Sequence, residues 1–197
     1  MIFKLGLTGS IGMGKSTTAK LFAEYGCAVW DADAAVHRLY ATGGAAVGPI
    51  GRAFPLAIVD GTVSRDRLKE VIADDPDALQ QIERIVHPLV ADDRTTFLSG
   101  TDADVTVFDI PLLFETGADA QMDATACVTV APETQKARVM ERGTMSEAQF
   151  QAILSKQMPD AEKRTRADYV IVTDTLEHAR AQVQDVLKEI RDRQTHA

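Results

Sequence analysis

Gly9-Ser10-Ile11-Gly12-Met13-Gly14-Lys15-Ser16 is the stretch on which the fold turns. It matches G-x-x-x-x-G-K-[ST] and stands between an apolar run, Ile2–Thr8, that reads as a strand and a segment of helical period, Ser16–Tyr25. Glycines let the backbone curl so that successive N–H groups point inward, and the helix that follows adds the positive end of its dipole. Lys15 then brings a full charge to the β/γ-phosphates of a nucleotide, and the Ser16 hydroxyl can hold Mg²⁺. The alternative is a glycine-rich turn that happens to precede a helix, and the strand and helix flanks argue against it.

Outward from this loop, short apolar runs alternate with helical segments, the pattern of a parallel sheet covered by helices. The further strands are expected at Ala28–Asp31, Val105–Asp109, Thr125–Ala131 and Tyr169–Thr173, all rich in the apolar residues of strands buried on both faces. Helices are expected at Ala32–Tyr40, Pro132–Arg142, Ser146–Gln157 and Leu176–Arg193, with Ser146 and Thr175 as N-caps. From about Gly43 to Gly100 the alternation stops. That region offers no clear strand and three helices, Arg65–Ala73, Pro76–Val86 and Pro88–Leu98, with Ser64 and Asp75 as starts, so it reads as an inserted subdomain.

Composition narrows the partners. The 197 residues hold 21 Lys+Arg against 29 Asp+Glu, a net charge of −8, and are 45% hydrophobic, which suits a folded protein. An acidic chain is no general nucleic-acid or membrane-surface binder, because such proteins need a basic face. The N-terminal apolar run is too short for a signal-peptide core and no run can span a bilayer, so the expected compartment is the cytoplasm. Cys27 and Cys127 are too few for a disulfide framework and read as buried thiols.

A phosphate-binding loop fixes the ligand class and leaves the reaction open. The N/T-K-x-D and D-x-x-G elements of guanine-nucleotide switches are absent. Candidates for a small-molecule kinase are present. Asp31-Ala32-Asp33 follows the second strand at the carboxyl edge of the sheet, where Asp33 is the choice for the base that takes a proton from the acceptor hydroxyl and Asp31 can assist a metal; helix capping is the alternative. Asp109 ends the third strand in the position where a carboxylate supports Mg²⁺, with buried capping as its alternative. Arg138 and Arg142, four apart, share one helix face ahead of Gly143-Thr144 and a second helix, the pattern of a lid that neutralises the transferring phosphoryl group, unless they are a solvated, salt-bridged face.

Together these residues resemble the dephospho-coenzyme A kinase family. The resemblance rests on Leu7–Ser16, Asp31-Ala32-Asp33, Gly61 to Leu68 with Arg65, and Ile85-Val86-His87-Pro88. It continues through Asp109-Ile110-Pro111-Leu112-Leu113-Phe114-Glu115, Arg138 with Arg142, Gln157, and Ala167-Asp168-Tyr169-Val170-Ile171. It implies an α/β, three-layer P-loop kinase fold with a five-stranded parallel sheet: a core over 1–33, 101–137 and 158–197, a helical acceptor domain over 34–100, and a lid over 138–157. The implied reaction is ATP-dependent phosphorylation of the ribose 3′-hydroxyl of dephospho-CoA, with Mg²⁺, ending coenzyme A biosynthesis.

By the same resemblance, Ile11, Gly12, Met13, Gly14, Lys15, Ser16 and Thr17 would hold ATP with Arg138 and Arg142. Asp33, His87 and Leu112 would meet the acceptor, Asp33, Lys15 and Arg142 would carry catalysis, and Ser16, Asp31 and Asp109 would serve the metal. A packing role beside Pro88 is the other reading of His87. The partners implied are ATP and dephospho-CoA, without nucleic acid or membrane, for a monomer or small homo-oligomer. Thr173-Asp174 departs from the asparagine common after the fifth strand, Phe54-Pro55 replaces Phe-Gly, and Ile72 takes an aromatic position. A kinase for another small hydroxyl acceptor, such as a nucleoside monophosphate, and a nucleotide-dependent switch are the competing readings.

Overall fold

The computed structural model describes residues 2–195. Met1, His196 and Ala197, the outer ends of the expected core, lie outside the described residues. Two compact units form, one from the chain up to Trp30 and from Asp102 onward, the other from Asp31–Thr101. The second begins at Asp31 rather than 34 and ends at Thr101 rather than 100.

In the first unit, β1 (Phe3–Thr8) leads through the glycine loop into α1 (Lys15–Glu24) and β2 (Ala28–Asp31). In the second, α2 (Ala32–Tyr40), α3 (Val47–Ala53), the short strands β3 (Ile58–Val59) and β4 (Thr62–Val63), α4 (Arg65–Asp74) and α5 (Ala78–Ser99) follow. The first unit resumes with β5 (Val105–Asp109), β6 (Ala124–Thr129), α6 (Pro132–Glu141), α7 (Glu147–Leu154), α8 (Asp160–Arg166), β7 (Tyr169–Val172) and α9 (Leu176–Thr195).

The large sheet has the order β2-β5-β1-β6-β7, and β1 pairs in parallel with both β5 and β6. The chain leaves β1 toward β2 on one side of it and later passes from β5 across β1 to β6 on the other, so the loop after β1 opens where the strand order reverses, the place where open α/β sheets bind ligands. β5 and β6 are buried throughout, which is why they lack polar alternation. Leu5, Leu7, Phe22, Val107, Val128, Ile171, Val183 and Ile190 form the core between sheet and helices. Cys27 and Cys127 are free and buried. Burial, the dominant cause, pushes their thiols up to about 11 and about 12, so neither is a thiolate at neutral pH. Among the described residues no helix is long and apolar enough to cross a membrane.

The second unit has its own core of Leu39, Ala46, Ile50, Ala57, Val63, Leu68, Ile82 and Val86, and here three sequence expectations are corrected. The segments 76–86 and 88–98 are one helix, α5, which runs through Pro88. The carbonyl that loses its partner to the proline is that of Arg84; Arg84 and Pro88 are both exposed, so water can meet it, while Ile82 and Val86 hold the helix down by burial. The absence of strands is overturned by the β3–β4 hairpin, whose turn residues Asp60 and Gly61 have φ of 50° and 74°. Helix α3 was also unexpected, as was α8 in the first unit. The caps Ser64 and Ser146 are as expected, with Ser146 and Gln149 forming a reciprocal capping box.

Candidate active site

The loop after β1 takes its shape from two glycines in the left-handed region, Gly12 at φ 79° and Gly14 at φ 90°. Gly14 is the N-cap of α1, and no described side chain caps this helix, which leaves its first-turn amides to an anion. A Cβ on Gly12 would lie 2.5 Å from Val139 Cγ2 on α6. Gly12→Ala is therefore expected to lose about 2–4 kcal/mol from the backbone strain and the displaced α6 together, and to weaken ATP binding. Urea unfolding with an ATP titration checks this; wild-type affinity would refute the close fit of loop to helix.

Side chains from distant elements brace the loop. The Ile11 N–H donates to Gln157 Oε1 at 3.2 Å, and Gln135 Nε2 donates to the Ile11 carbonyl at 2.7 Å. The Val130 N–H donates to Met13 Sδ at 3.2 Å, and the Thr173 hydroxyl donates to the Met13 carbonyl at 2.6 Å. Both backbone groups of Ile11 are thus held by amide side chains. Gln135 carried no signal beyond its place on a helix.

Lys15 Nζ forms an ion pair with Asp109 Oδ1. The register explains the meeting: Leu7 of β1 lies opposite Asp109, the last residue of β5. Only 3% of the Asp109 side chain is exposed, against 16% for Lys15. A carboxylate beside the phosphate loop and the exposed Ser16 hydroxyl fit a Mg²⁺ ion, which takes one or two protein oxygens and completes its shell with phosphate and water. No cluster of three or more His, Cys, Asp or Glu suited to a metal exists among the described residues, as such a phosphate-dependent site permits. Asp31 uses Oδ1 to accept the Ala34 N–H at 2.9 Å and so caps α2.

Beside the loop lies a cavity of about 210 Å³ lined by Gly14, Thr17, Arg138, Arg142, Thr173 and Leu176, among others. Arg138 docks on the chain after β7, donating to Thr173 Oγ1 at 3.1 Å and to its carbonyl at 2.6 Å. Arg142 is the exposed residue just past α6. Among the described residues neither arginine joins an ion pair with a carboxylate. The departure at Thr173 thus has a structural use: its hydroxyl links Arg138 to Met13.

The loop after β5 carries Leu112, 41% exposed, and Glu115, which is paired with Lys163. Burial pushes the Glu115 carboxyl up, but hydrogen bonds from Lys163 and the Met158 N–H outweigh it and hold the group below the usual carboxylate range.

In the second unit Asp33 is exposed in the first turn of α2, and His87 is exposed on α5, so His87 is not a packed core histidine. Arg65 lies 5.9 Å over the Tyr40 ring. Arg38 grips Asp93 through Nη2 at 2.6 Å and Nε at 3.2 Å, fastening α2 to α5.

A glycine loop at the switch point of a parallel sheet, with its lysine, strand-end aspartate and helix arginines, defines a P-loop kinase. Residues 3–178 match the dephospho-CoA kinase family model, and a dephospho-CoA kinase of Ruegeria pomeroyi is 66% identical over 197 residues, 100% of both chains. The chain belongs to the dephospho-CoA kinase family, the enzymes of the final step of coenzyme A biosynthesis. Solved structures agree. The crystal structure of TT1252 from Thermus thermophilus is similar at a TM-score of 0.86 and 34% identity, covering 95% of this chain and 97% of that one. The dephospho-CoA kinase from Campylobacter jejuni is similar at a TM-score of 0.68 and 25% identity, covering 96% and 98%.

Proposed function

We propose that this kinase moves the γ-phosphoryl group of ATP in line onto the ribose 3′-hydroxyl of dephospho-CoA, giving CoA and ADP. The observation that carries this reading is the Lys15–Asp109 pair beneath the uncapped start of α1, a cation and a carboxylate where a triphosphate and its metal need them. The loop from Ile11 to Thr17 holds the phosphates through the backbone N–H groups of its later residues, while the Ile11 N–H, taken by Gln157, fixes the start of the loop. Ser16 and Asp109 would hold Mg²⁺, with Asp31 assisting, and the ion would supply positive charge against the developing negative charge of the phosphates.

Asp33 accepts the proton as the 3′-oxygen bonds to phosphorus and the bond from γ-phosphorus to the β,γ-bridging oxygen breaks, leaving ADP. Arg142, with Arg138 behind it, neutralises charge on the group in transit, and residues 138–157 act as the lid that keeps water out. The Asp31–Thr101 unit, with His87, serves the acceptor, and Leu112 of the β5 loop is a further residue for it. The net charge of −8 supports a kinase without nucleic-acid partners, and a cytoplasmic monomer or small homo-oligomer belongs to the same reading.

Product analysis with γ-labelled ATP, with dephospho-CoA and adenosine monophosphate offered together, tests the acceptor. Phosphate is expected on dephospho-CoA alone. Transfer to the monophosphate at a comparable rate would favour the second kinase reading, and acceptor-independent hydrolysis the switch.

A further inference from the structure

Helix α8 reads DAEKRTR; Glu162, Arg164 and Arg166 are exposed and Asp160 is partly buried, but Lys163 alone has no exposed surface. Its Nζ donates to the Pro111 carbonyl at 3.0 Å and pairs with Glu115 Oε1 at 2.9 Å. A lysine buried this completely carries a desolvation cost that an apolar side chain of the same length would avoid while filling the same space. Packing alone therefore does not account for it.

The two partners of Lys163 lead to the phosphate loop from opposite sides. The Pro111 carbonyl also accepts the Thr8 hydroxyl at 3.0 Å, and the preceding Ile110 N–H donates to the Leu7 carbonyl at 2.9 Å, so the turn after Asp109 is moored to the last residues of β1. Glu115 Oε1 also accepts the Met158 N–H at 2.9 Å, and the neighbouring Gln157 accepts the Ile11 N–H at 3.2 Å. Lys163 stands where these two routes join.

We propose that Lys163 is a positioning residue for phosphoryl transfer, its ammonium fixing the turn after β5 and the Gln157–Met158 segment against each other so that Asp109, Lys15 and Ile11 keep the geometry that receives the triphosphate. The proposal rests on the reading of Gly9–Ser16 as the ATP site. Removing the ammonium lets the Ile11 amide and the Lys15–Asp109 pair drift, and a misplacement of about 1 Å can cost roughly 100-fold in rate.

The full-length enzyme is compared as wild type, Lys163→Met, Lys163→Met/Glu115→Met and Lys15→Ala. The single Lys163 variant leaves Glu115 unpaired and is expected to melt lower. The double variant removes both charges and should recover a near wild-type melting temperature. Its kcat/KM for ATP is nevertheless expected to stay about 100-fold down, with faster hydrogen exchange at the Ile11 amide. A double variant with wild-type kcat/KM and wild-type exchange at Ile11 would overturn the proposal and leave the pair a strut. If the double variant does not fold, Glu115→Gln decides: it keeps the shape and an acceptor oxygen but removes the counter-charge of Lys163, so it should melt lower; at a temperature where it is fully folded, an unchanged kcat/KM and exchange rate would overturn the proposal, whereas a loss of about 10-fold supports it. Undiminished turnover in Lys15→Ala would instead refute the ATP-site reading itself.

Discussion

Lys15→Ala is expected to lower CoA formation by at least about 1000-fold, because one preorganised full charge on the transferring group accounts for about that much in comparable sites. The structure adds a second effect. Asp109, with 3% of its side chain exposed, loses its cation, and removing one member of a buried pair costs about 3 kcal/mol, somewhat less here because water already reaches Lys15. The variant should fold but melt lower. Adding Asp109→Asn should recover much of that stability while the double variant stays inactive. A coupled ADP assay beside a thermal melt separates the two effects, and substantial turnover in Lys15→Ala would remove the loop from the mechanism.

Asp33→Asn is expected to reduce kcat by about 100- to 10,000-fold while the dissociation constant for ATP stays near wild type, since a general base acts on the acceptor's proton and leaves the nucleotide grip alone. Asp33 is exposed and starts a helix whose cap is supplied by Asp31, so the substitution removes no structural contact that Asp31 does not keep. Single-turnover rates across pH, with ATP affinity by calorimetry, check it. A kcat close to wild type at every pH would mean the proton leaves by another route.

The parallel sheet and the phosphate loop were legible because their signals are local: a glycine and lysine spacing, and short apolar runs. What escaped had weak local signals or none. Asp60-Gly61 is a strong turn pair, but its flanking strands are two residues each, too short to show alternation. Pro88 reads as a helix break, yet on the solvent side of α5 the lost hydrogen bond is replaceable by water, which a one-dimensional rule does not weigh.

The site divides in the same way. Lys15, Ser16 and Asp109 are marked by motif and strand end, and β1–β5 register brings the lysine and the aspartate together. Gln135 and Lys163 look like ordinary polar members of charged helices, and their roles depend on partners far along the chain, the Ile11 carbonyl and Glu115. Gln157 was visible only as a member of the family pattern; its bond to Ile11 gives it a physical reason.

The contact between Lys15 and Asp109 also bears on selectivity among anions. The loop's ammonium has a carboxylate partner within the chain, so an anion that reaches it competes with Asp109. A triphosphate that brings its own divalent counter-ion would offer the lysine one new partner and the aspartate another.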